Sequence, residues 1–150
     1  MMGPVRIAPQ EIRFVTTDAQ VSDRTRAVLD STDDEWVVLA LPHTDYRLRL
    51  RRGGDVNTPV GKRIRGVIEA TALRIHPAAG GGRFVEPVSG EPRIVAGVVR
   101  AVDTDAGRVL VDVAAPMWLS FDEGQDASVI RPGEMVNCYV RDAAFTPDPA

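Results

Sequence analysis

Apolar residues in this chain recur at every second position, in short runs divided by turn-forming residues, and a period of two belongs to strands that bury one face. The clearest runs are Ile12 to Thr16, Arg24 to Leu29, Glu35 to Leu41, Tyr46 to Arg51, Arg63 to Ile75, Ile94 to Val102, Arg108 to Ala114, Met117 to Phe121 and Met135 to Val140. Thirteen glycines and eleven prolines punctuate the chain, as turns between strands require. No segment sustains the i, i+3, i+4, i+7 stripe over the roughly 10 residues of a globular helix. Only Asp122 to Val129 has room for one helical turn. The pattern predicts an all-β protein.

The runs also repeat. AVLDSTDDEWVVLALP, from Ala27 to Pro42, resembles AVDTDAGRVLVDVAAP, from Ala101 to Pro116, at an offset of 74 residues. GKRIRGVIEATAL from Gly61 resembles GEMVNCYVRDAAF from Gly133 at an offset of 72, pairing Ile64 with Val136, Ile68 with Val140, Ala72 with Ala144 and Leu73 with Phe145. Each of these long segments changes the parity of its apolar residues partway. Ile64, Gly66 and Ile68 share one face and Leu73 and Ile75 the other; Val136, Cys138 and Val140 share one face and Phe145 the other. An extra residue near Ala70 to Ala72, and another near Asp142 to Ala144, would return each set to one interior as a β-bulge. The expectation is a tandem duplication: two related small barrel-like units, 1–78 and 79–150, packed together and joined by the Pro77 to Gly82 linker.

The second copy's hairpin, GVVRAVDTDAGRVLVDV, and its closing strand, PGEMVNCYV, resemble at fold level the small Greek-key barrels that bind oligonucleotides and oligosaccharides, the OB-fold. An SH3-like barrel, or one pseudo-twofold barrel of eight strands, would carry the same marks. The resemblance implies a binding module, and for nucleic acid a surface with aromatic platforms for bases. The chain holds two Trp, two Tyr and four Phe. Tyr46, Trp36 and Trp118 are the candidate platforms, although both tryptophans sit on core-rich strands and should be mostly buried.

Charge narrows the partners. The formal net charge is −3, so no global cationic field draws the molecule to nucleic acid or lipid, and a polyanion site must be local. Arg47, Arg49 and Arg51 alternate with Tyr46, Leu48 and Leu50, which on a strand sends three guanidinium groups to one side. With Arg52, Lys62, Arg63 and Arg65 they make seven basic residues between positions 47 and 65, against Asp55 alone. Guanidinium forks match phosphate oxygens well. The expectation is therefore a non-catalytic module that recognises a polyanion such as single-stranded nucleic acid through Tyr46, Arg47, Arg49, Arg51, Arg52, Lys62, Arg63 and Arg65. Two other readings stay open: a structural or assembly subunit, possible homo-oligomer included, in which this strand meets Asp122, Glu123 and Asp126 of another copy; and a regulatory domain that binds a small anionic ligand.

Enzyme signatures are missing from the pattern. His43 and His76 have no second ligand at a familiar metal spacing. Asp103, Asp105 and Gly107 lack the closing Glu of a calcium loop, and Gly61–Lys62 is followed by neither Ser nor Thr. Neither catalysis, metal nor cofactor is expected. A single cysteine, Cys138, and the lack of a run of about 18 apolar residues or of an apolar leader point to a reducing, cytoplasmic setting and no membrane partner.

Overall fold

The computed structural model describes residues 14–16, 21–78, 80–121 and 129–149. Its strands are β1 (Phe14–Thr16), β2 (Thr25–Thr32), β3 (Trp36–Ala40), β4 (Arg47–Arg52), β5 (Arg63–Pro77), β6 (Phe84–Glu86), β7 (Ser89–Gly90), β8 (Ile94–Asp103), β9 (Arg108–Asp112), β10 (Pro116–Phe121) and β11 (Met135–Pro147). The protein is all-β, with no α-helix among the described residues; the Asp122 to Val129 turn lies mostly outside them. Two short strands, β6 and β7, have no counterpart in the sequence pattern, because two or three residues give no period to read.

All eleven strands among the described residues join one sheet. Eight of them close a ring of hydrogen bonds in the order β2, β5, β10, β9, β8, β11, β4, β3 and back to β2. The two long strands also pair with each other across the ring, antiparallel, from Val136 opposite Pro77 to Pro147 opposite Gly66. That ladder divides the ring into two five-stranded circuits. One runs through β2, β3, β4, the end of β11 and the start of β5. The other runs through β8, β9, β10, the end of β5 and the start of β11. Each circuit is completed by a strand end from the opposite half of the chain.

The pairing scheme is the same on both sides. β2 to β5 and β8 to β11 are connected alike, with β4–β11 and β10–β5 the two parallel pairs. The details repeat as well. Leu29 N–H donates to the Lys62 carbonyl and Gly61 N–H to that of Leu29; Val99 N–H donates to Glu134 and Gly133 N–H to Val99. Gly61 and Gly133 hold the left-handed backbone, at φ 88° and 92°, that a side chain would strain.

Two sequence matches need correction. The register breaks between Leu29 and Ser31 in β2 and between Val99 and Ala101 in β8, so these strands correspond at a spacing of 70, not 74. Aligning the acidic turns hid this, because the second hairpin is two residues longer. The parity changes in the long strands also fall at different places. In β5 the ladder skips Leu73, pairing Ala72 with Val140 and Arg74 with Tyr139. In β11 it skips between Arg141 and Ala144, where Asp142 takes φ 55°. Leu73 is therefore exposed rather than inward, whereas Phe145 is fully buried.

One continuous apolar cluster fills the inside, from Leu29, Leu39, Leu48, Leu50 and Phe145 through Ile68 and Val140 to Val95, Val109, Met117 and Leu119. A smaller cluster of Ala101, Leu110 and Trp118 lies on the outside of the second circuit, under Val21 and Val67.

Candidate anion-binding face

The inward residues of β2 to β5, among them Ala27, Leu29, Val37, Leu39, Leu48, Leu50 and Ile64, are buried. Strand alternation then turns their neighbours outward. Cross-strand register places Arg47, Ala40, Val28 and Arg63 in one row across β4, β3, β2 and β5. On one side of this row Arg49 pairs with Val38 and Arg51 with Trp36; on the other Arg26 pairs with Arg65. At about 4.8 Å per strand, the backbones of Arg47 and Arg63 lie about 14 Å apart. Six arginines thus surround a half-buried strip of Val28, Val38 and Ala40.

Part of this charge is met within the chain. Arg47 bonds Asp30 at 2.7 Å, Arg51 lies 3.8 Å from Asp142, and Arg65 lies 3.2 Å from Asp148, which Arg24 also holds at 2.8 Å. The Arg49 guanidinium rests on the Trp36 ring, 3.7 Å from its centroid, with Arg51 at 4.8 Å. Asp33 closes the β2–β3 turn by accepting the Glu35 and Trp36 N–H groups at 2.9 Å each. Those bonds, with lesser help from Arg49 and Arg52, hold its carboxyl below the ordinary value of 3.8. Arg26, Lys62 and Arg63 have no ion pair with a described residue.

Of the residues singled out in the sequence, the fold brings Arg47, Arg49, Arg51, Arg63 and Arg65 onto one face. Lys62 sits exposed in the turn before β5. Arg52 leaves the group and donates to the Asp33 carbonyl at 2.7 Å. Tyr46 is half-buried, packs against the core, and its hydroxyl accepts the Val85 N–H at 3.3 Å. Trp36 is half-buried rather than mostly buried, since a guanidinium and not a strand covers it. Asp122, Glu123 and Asp126 lie outside the described residues.

The pattern gave no notice of Arg26 and His43. Arg26 joins only through its cross-strand partner Arg65, although the inward Thr25, Ala27 and Leu29 did mark it as outward. His43 follows Pro42 in the turn after β3, with a left-handed backbone at φ 64°. Together Arg26, Val28, Pro42, His43, Arg63 and Arg65 line a depression of about 560 Å³.

The opposite circuit carries the same contact with its members exchanged. Arg108 on β9 lies over Trp118 on β10 at 4.0 Å, where the first circuit has Trp36 on β3 and Arg49 on β4. There the face is closed. Trp118 is buried beneath the segment before β2 and its indole N–H donates to Asp23 Oδ2 at 2.9 Å.

Burial pushes the Cys138 thiol up to about 12, which suppresses the nucleophilic thiolate. Among the described residues no three His, Cys, Asp or Glu side chains gather as a metal site, and no helix is long and apolar enough to cross a membrane. Compared with protein families, curated proteins and solved structures, the chain has no significant match.

Proposed function

We propose that the chain is a non-catalytic module that binds a polyanion, single-stranded nucleic acid first among them, on the outer face of β2 to β5. The observation that supports this reading is the excess of cation: six outward arginines in adjacent rows, with Asp30, Asp142 and Asp148 as their carboxylate partners among the described residues. A phosphate backbone gives such a surface multiple charge-assisted hydrogen bonds and releases counterions as it does so. The Arg49 guanidinium carbon lies over Trp36, 3.7 Å from the ring centroid, and a guanidinium plane can itself serve as a stacking surface for an unpaired base. In the same reading 1–78 and 79–150 descend from one duplicated OB-like unit, and only the first kept an open face.

The test is fluorescence anisotropy with a labelled thymidine oligonucleotide as salt is raised. Binding should weaken steeply, and Arg49→Gln and Arg51→Gln should each flatten the slope of log K against log salt by about 0.7, the release expected for one single-strand phosphate contact. No binding at low salt would overturn the proposal.

A further inference from the structure

We infer that the depression at the β2–β5 end of this face is a seat for a phosphate monoester, carried either by the 5′ end of a nucleic-acid strand or by a free mononucleotide-sized ligand. The inference deepens the polyanion reading and rests on it for the strand, but not for the free ligand.

Arg26 and Arg65 are directly opposed on antiparallel strands. Like charges in that position repel and destabilise the pair. Arg63 adds a third guanidinium from the same side of β5, about 6.6 Å along the strand from Arg65. Asp148 is shared between Arg24 and Arg65, and Arg26 and Arg63 have no ion pair to a described residue. A dianion set between the three would turn their repulsion into attraction.

The chemistry of the walls selects among phosphates. An internal diester carries one negative charge, whereas a monoester carries −1.5 to −2 near neutral pH and three acceptor oxygens. Three forks and the imidazole of His43 suit the second better. The Pro42–His43 turn bounds the depression and Val28 and Pro42 supply apolar wall. A space of about 560 Å³ is of the size that holds small organic ligands, so there is room for the group that bears the phosphate.

The experiment uses the full chain and two otherwise identical oligonucleotides labelled at the 3′ end, one with a 5′-phosphate and one with a 5′-hydroxyl. Thymidine 5′-monophosphate and thymidine are titrated in parallel by calorimetry. The 5′-phosphate should tighten strand binding about tenfold, and the monophosphate should bind where the nucleoside does not. Arg26→Gln and Arg63→Gln should each weaken the 5′-phosphate strand about tenfold more than the 5′-hydroxyl strand, so that both preferences are lost whatever the change in binding common to the two. Asp148→Asn, which frees Arg65, should widen them, a gain that loss of folding cannot mimic. Equal affinity for both strands, with no response to the monophosphate, overturns the seat and leaves the polyanion face standing. Binding of the monophosphate alone supports the seat and overturns the strand reading. No binding of any probe overturns both.

Discussion

Gly66 and Cys138 hold corresponding places in β5 and β11, but the space above them is used differently. A Cβ on Gly66 would stand 2.3 Å from the Thr146 carbonyl oxygen and 2.7 Å from the Phe145 ring. Gly66→Ala should therefore cost about 1–3 kcal/mol, as overpacking does, and Phe145→Ala about 3–5 kcal/mol, both read as lowered midpoints in urea. A Gly66→Ala protein as stable as the parent would show that the ring and carbonyl can yield. At Cys138 the raised thiol value sets a pH dependence. The folded protein keeps the thiol proton up to about 12, while the unfolded chain releases it near the ordinary value of 9.0. The contribution is complete below 9 and is lost as pH rises toward 12. The parent should lose stability over that range faster than Cys138→Ala; parallel curves would contradict it. The equivalence of Gly66 and Cys138 was readable from parity alone, but the occupancy of the space by Phe145 was not, since the Phe145 ring reaches Gly66 across 79 residues of sequence.

Alternation gave nearly every long strand, because burial of one face is written in the chain two residues at a time. It also announced that β5 and β11 must each contain an irregularity. It could not place those irregularities, because an extra residue is absorbed wherever the cross-strand ladder permits, and the ladder partners are distant in sequence. Leu73 shows the consequence: read as inward by its match to Phe145, it is the residue the ladder skips. The β5–β11 ladder supplies an element-scale prediction. A Cβ on Gly80, Gly81 or Gly82 would meet no atom within 4 Å, so a protease site inserted there should be cut without disturbing neighbours. The two fragments should then elute together, held by pairing from Gly66 to Pro77. Separate elution under native conditions would mean that the ladder is too weak to hold the circuits closed.

For the whole molecule, shared strands and one continuous core predict that the two circuits unfold as a single cooperative unit. Phe145→Ala in one circuit and Met117→Ala in the other should lower the midpoint of the same single thermal transition, followed by near- and far-ultraviolet circular dichroism. A second transition in either variant would separate the circuits. The candidate face was legible in proportion to its locality. Arg47, Arg49 and Arg51 announce themselves within five residues, and Arg63 and Arg65 within three. Arg26 and His43 become neighbours of that group only through register and a turn, which no count of charges along the chain reveals.

Reciprocal closure also sets what the end of β11 is worth. Ala144 and Phe145 pair with Arg51 and Arg52, and Thr146 and Pro147 with Val67 and Gly66. A stop codon at position 144 would remove the wall between β4 and β5. The lesion would lie in β11, and the collapse would be felt by arginines encoded some 80 to 120 codons upstream.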